Sequence, residues 1–86
     1  KVLLLGIFPR GLQASDPYRS SIHDINLKLA ALADDKQIFF LDIGSAFLAS
    51  DGRLTTEIMP DGLHLSLAGY QIWADTIINR VKELIF

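Results

Sequence analysis

Asp61 and His64 are the two residues of this chain whose types and spacing best suit acid–base chemistry. They stand three apart in Met59-Pro60-Asp61-Gly62-Leu63-His64-Leu65-Ser66-Leu67-Ala68-Gly69-Tyr70. Gly62 lets the backbone turn sharply between them. In such a turn the Asp61 carboxylate can accept a hydrogen bond from Nδ1 of His64. That bond fixes the imidazole tautomer and leaves Nε2 as a base. It also stabilises the imidazolium formed when the base takes a proton. The alternative is a tight Asp-Gly turn with a surface histidine where a helix begins.

A base of this kind serves a nucleophile. The serines are Ser15, Ser20, Ser21, Ser45, Ser50 and Ser66, and none stands in a Gly-x-Ser-x-Gly elbow. Ser45 follows a strand candidate and is the nearest local choice, but it reads as a loop or helix-cap serine. A metal site can be assembled on paper from Asp42, Asp51, Asp61 and His64. No His-x-His or His-Glu-x-x-His spacing supports it. The chain has no cysteine, which removes disulfides and thiolate ligands. The sequence calls for no metal and no cofactor.

The elements that must position Asp61 and His64 are legible on either side. Val2 to Phe8 is a continuous apolar run, as in strands buried on both faces of a parallel sheet. It stops at Phe8-Pro9-Arg10-Gly11, a loop start where Arg10 is either a substrate contact or a solvated side chain. Asp16 is a helix cap and Pro17 fits the first helical position. Ile22, Ile25, Leu29 and Leu32 then predict an amphipathic helix over residues 17–34, with His23 exposed on it. Asp34-Asp35-Lys36 turns the chain, and residues 37–43 form a second strand. Two such strands flanking a helix make a right-handed βαβ unit. Residues 44–65 show no clear periodicity beyond one helical turn near Ala46. A stretch this long in a compact domain is usually functional or a misreading. Ser66 caps the last helix, whose apolar stripe is Tyr70, Trp73, Ile77, Val81 and Leu84. Tyr70 and Trp73 therefore read as core.

With 86 residues the chain is one domain at most. A body this small buries only about 60% of its unfolded surface. Yet it is 50% hydrophobic, with a mean hydropathy of +0.31. That load implies apolar surface that meets something outside these residues, either the rest of a larger α/β domain or a second copy in a homodimer. The net charge of −2 and the absence of a basic stripe argue against nucleic acid as a partner. No apolar run approaches the ~20 residues of a membrane span.

The string Asp61-Gly-Leu-His64-Leu-Ser66-x-x-Gly69-Tyr70 resembles the last block of the SGNH/GDSL hydrolases, in which an Asp-x-x-His pair precedes the final helix. Residues 2–11 resemble the late strand and loop of the platelet-activating-factor acetylhydrolase-like subgroup, and Phe39-Leu41-Asp42 its next strand. The resemblance covers nearly all of residues 1–86 and is specific in the final block. It implies the C-terminal β-α-β-α part of a flavodoxin-like, doubly wound parallel-sheet domain, with the active site at the strands' C-terminal ends. It implies His64 as general base, Asp61 as its orienting partner, and acyl transfer to water through a serine-bound intermediate. The substrate class is a small acyl ester, acetyl esters of carbohydrate or lipid being the first choice. Bacterial secretion or the periplasm is one setting consistent with it, and composition leaves the compartment open.

The family's nucleophile lies in a Gly-Asp-Ser motif near the start of the domain, and no serine here follows Gly-Asp. The serine and the oxyanion hole are thus expected in the N-terminal part of the same domain, which pairs with this chain, and these residues alone are expected to lack esterase activity. Residues 57–62 also resemble a stretch of response-regulator receivers, but Thr56 stands where their acidic phospho-acceptor belongs. The competing function is a non-catalytic binding or assembly fragment with the same half-fold.

Overall fold

The structure is a computed structural model that describes residues 1–85. Its elements run β1 (Val2–Leu5), α1 (Pro17–Ala30), β2 (Ile38–Leu41), a short 3-10 helix (Gly44–Phe47) and α2 (Leu67–Ile85). β1 and β2 pair in parallel, from Val2 opposite Ile38 to Leu5 opposite Leu41. The βαβ unit followed by a closing helix is the expected α/β architecture.

Side chains at the helix ends explain where each helix starts. The Asp16 carboxylate accepts the Tyr18 N–H at 3.0 Å, and Pro17 occupies the first helical position. Ser66 Oγ accepts the Gly69 N–H at 3.2 Å and donates to the Glu57 carbonyl. Gly69 is required there: a Cβ would lie 2.8 Å from the Ile58 carbonyl oxygen and from Leu65. α1 ends at Ala30 rather than at residue 34. The cause is Asp34, whose Oδ1 accepts the N–H groups of Lys36, Gln37 and Ile38 at 2.9 Å each. Those bonds build the turn into β2 and compete with further helix.

The core lies away from the strands. Ile43, Phe47, Leu54 and Met59 are its buried residues, with Phe8, Ile72, Trp73 and Ile77 packed against them. Phe8 meets Phe47 and Trp73 with ring centroids 4.7 and 5.4 Å apart. The stretch that showed no periodicity therefore supplies the centre of the molecule. Its apolar residues alternate with turns, so neither a helical nor a strand period can register. An antiparallel bridge, Leu48 to Leu54, and the Leu54 N–H to the Leu12 carbonyl at 2.9 Å help to hold it.

β1 and β2 are only half-buried, against the expectation of strands covered on all sides. Val2 and Gly6 direct their N–H groups to Gln37 and Leu41 of the β2 side, so Leu3, Leu5 and Ile7 face the opposite edge. Among the described residues no strand lies along that edge. At its end the buried Asn26 of α1 takes both main-chain groups of Ile7. Its Oδ1 accepts the N–H at 2.7 Å and its Nδ2 donates to the carbonyl at 3.0 Å. Gly6 leaves room for this, because a Cβ would stand 3.2 Å from the Asn26 and Asp42 side chains. The expected stripe of α1 is thus open in part: Ile25 is 43% exposed, whereas Asn26 is 7% exposed.

Candidate functional site

The turn that carries Asp61 and His64 is closed from within and from the side. Met59, almost fully buried, anchors its start, and the Gly62 N–H donates to the Met59 carbonyl at 3.0 Å. Gly62 has φ +74°, a conformation that glycine adopts at no steric cost. Its carbonyl accepts the Gly11 N–H at 2.9 Å, which ties the turn to the loop after β1.

Within the turn the two Asp61 oxygens do separate things. Oδ1 accepts the N–H groups of Leu63 at 2.9 Å and His64 at 2.7 Å. Oδ2 lies 2.6 Å from Nδ1 of His64. The hydrogen bond from the His64 ring, followed by those from the two N–H groups, holds the Asp61 carboxyl far below the usual carboxylate range. It therefore stays ionised and can only accept. The Nδ1 position then carries the proton, and in the neutral ring Nε2 presents a lone pair. The His64 side chain is 78% exposed and Nε2 has no hydrogen-bond partner among the described residues.

A cavity of about 570 Å³ lies against the open side of β1, walled by Ile7, Phe8, Ile22, Ile25, Leu63 and Trp73 among others. Its wall is mostly apolar, with Ser21, Tyr18 and Arg10 as its polar side chains, and the Arg10 guanidinium lies 4.4 Å from the Tyr18 ring centroid. Leu63, between Asp61 and His64, reaches that wall, whereas His64 does not line it.

The two residues singled out by spacing are in hydrogen-bond contact. The other candidates are elsewhere. Asp42 accepts the Gly44 N–H at 2.9 Å and so starts the 3-10 helix that carries Ser45. His64 makes no hydrogen bond to a serine among the described residues. His23 is exposed on α1 as expected, and Tyr70 is 54% exposed rather than core. Trp73 does pack inward, and its Nε1 is buried without a partner among the described residues.

Two polar residues that hold the site's surroundings were not signalled. Asn26 interrupts the apolar stripe of α1 between Ile22 and Leu29, a mismatch that marks a buried polar contact. Arg19 gave no signal, because its partners are main-chain carbonyls of distant residues.

Comparison with known proteins places the chain in a family. The profile of the GDSL-like lipase/acylhydrolase family matches residues 1–72. The chain is 42% identical over 71 residues to the platelet-activating factor acetylhydrolase IB subunit alpha1 of Homo sapiens, covering 81% of this chain and 30% of that protein. It is 35% identical over 86 residues to the corresponding subunit alpha2 of Rattus norvegicus, covering 99% of this chain and 37% of that protein. It thus spans about a third of the length of these relatives. Among solved structures, a Streptococcus pneumoniae protein assigned as a candidate platelet activating factor superimposes with a TM-score of 0.76 at 27% identity, over 93% of this chain and 41% of that one. A Bacteroides fragilis protein assigned as a candidate acylhydrolase shares the fold, with a TM-score of 0.77 at 24% identity, over 100% of this chain and 44% of that one. With a profile that extends from β1 into α2 and relatives this similar, the chain belongs to the GDSL-like lipase/acylhydrolase family.

Proposed function

We propose that this chain is the C-terminal portion of a serine esterase domain and supplies its acid–base pair, His64 and Asp61. The observation that carries the reading is the 2.6 Å contact of Asp61 Oδ2 with His64 Nδ1. It is made inside a turn that also fixes the backbone of both residues, in a chain of the acylhydrolase family.

In this reading a serine from the preceding part of the domain attacks the ester carbonyl while Nε2 of His64 takes its proton. Asp61 stabilises the imidazolium that results. The tetrahedral intermediate collapses, and the alcohol leaves with the proton from Nε2. Water then attacks the acyl-serine, again giving its proton to Nε2, and releases the acid and the free serine. The acyl group is small, acetyl in the first place, as the acetylhydrolase name of the relatives suggests. Carbohydrate and lipid esters are the two alcohol classes to test.

A fluorophosphonate probe tests this on the protein at the full length its gene encodes. Peptide mapping is expected to find the label on a serine of a Gly-Asp-Ser motif before Lys1. The labelling rate falls by about 10²-fold or more in His64→Ala. Label on Ser45, or a rate indifferent to His64, contradicts the proposal. The open edge of β1 favours one other reading, an assembly fragment whose apolar edge is covered by another chain. That reading expects no serine to be labelled.

A further inference from the structure

Arg19, in the first turn of α1, gives its guanidinium to three main-chain carbonyls and to no carboxylate among the described residues. Nε donates to Arg10 at 3.3 Å, Nη2 to Gly11 at 3.1 Å and Nη1 to Gly52 at 2.8 Å. The planar fork thus joins two loops that are far apart in sequence. Charge-assisted bonds of this kind are stronger than neutral ones.

Gly11 links this clamp to the candidate site. Arg19 holds its carbonyl, and its N–H donates to the Gly62 carbonyl at 2.9 Å. Gly62 stands between Asp61 and His64. Gly11 has φ +86°, and a Cβ there would collide with Asp16, the cap of the same helix. The Arg10–Gly11 peptide is therefore held by α1 through its carbonyl, that of Arg10, and holds the Asp61–His64 turn through its N–H, that of Gly11. The bonds inside the turn close it but do not place it against the loop after β1. The Gly11–Gly62 bond does.

We propose that Arg19 is a positioning residue: through Gly11 it fixes the Gly62 carbonyl, and so sets the turn in which Asp61 Oδ2 meets His64 Nδ1. This rests on the reading of His64 as the base, but the bond it sets can be measured without catalysis. A lysine gathers its donors on one nitrogen where arginine spreads them over a rigid fork of three, so Arg19→Lys is expected to hold the three carbonyls less well.

The test uses the full-length protein with 15N-labelled histidine, at a pH where the His64 ring is neutral. Ring 15N shifts report which nitrogen carries the proton. Wild type is expected to show the Nδ1–H tautomer, and Asp61→Ala to lose it. Arg19→Met is expected to move toward the Asp61→Ala mixture, with Arg19→Lys between. In ester hydrolysis Arg19→Met lowers kcat by about 10-fold while KM stays within about two-fold, since displacement near 1 Å costs up to about 10²-fold. Amide dispersion reports folding, and if Arg19→Met does not fold, the tautomer of Arg19→Lys decides. A folded variant with the wild-type tautomer overturns the proposal. If Arg19→Met shifts the tautomer while His64→Ala hydrolyses ester at the wild-type rate, the positioning stands and the esterase reading falls.

Discussion

Asp61 and Asp34 use one device for two ends. Each carboxylate accepts successive main-chain N–H groups and thereby shapes a turn. Only Asp61 also has an imidazole on its second oxygen. A depressed carboxyl is thus no mark of chemistry by itself: the three N–H groups lower Asp34 from 3.8 to about 2. The consequence of that shift is a dependence of stability on acid. Because the folded pKa lies below the unfolded one, the contribution of Asp34 is fully present above pH 3.8 and is lost as the pH falls through about 2. In Asp34→Asn that part of the acid sensitivity disappears. Urea midpoints measured at pH 5 and pH 3 are expected to differ less in the variant than in wild type. An equal difference in both proteins contradicts this role. The Asp61–His64 contact was legible because its three-residue spacing around a glycine encodes a local turn. Arg19 was not, because carbonyls of residues 10, 11 and 52 leave no mark on side-chain pattern.

α1 shows how far an element can be read from its own sequence. Its start follows from Asp16 and Pro17, and these hold in the structure. Its end was misplaced, because the stop signal is the Asp34 side chain bonding forward to Ile38 rather than a glycine or proline. Its inward face was read as aliphatic, yet Asn26 is its buried residue. That asparagine satisfies both main-chain groups of Ile7 just beyond β1, where strand pairing ends. Leaving a buried donor or acceptor unpaired costs about 1–3 kcal/mol. Asn26→Ala is therefore expected to destabilise the protein by about 2 kcal/mol, read as a lower midpoint in urea denaturation. A loss under about 0.5 kcal/mol, the scale of ordinary surface substitutions, contradicts the account. α2 was legible in extent, since its period is regular and Ser66 caps it. Tyr70 was assigned inward by period alone, but in the first turn of the helix it stacks on the outside of Trp73, with ring centroids 5.9 Å apart, and is half exposed.

At the scale of the molecule the sheet and the core are displaced from each other. The buried residues Ile43, Phe47, Leu54 and Met59 gather under α2, while the outer edge of β1 stays open beside an apolar cavity. The order of elements could be read because the helices have a period and the strands are unbroken apolar runs. The position of the core could not, because it is assembled from turns with none. The geometry that carries the functional reading is nonetheless complete within the chain: a Gly62 turn tied to Gly11, an ionised Asp61 and a His64 oriented through Nδ1. What the reading adds is a serine supplied from outside these residues. The most direct measurement is hydrolysis of p-nitrophenyl acetate by the protein at the full length its gene encodes, with His64→Ala beside wild type. Loss of a general base lowers kcat by about 10²–10⁴-fold, and KM is expected to change little. Wild-type turnover in a folded His64→Ala protein would contradict the assignment of the Asp61–His64 pair as the acid–base centre.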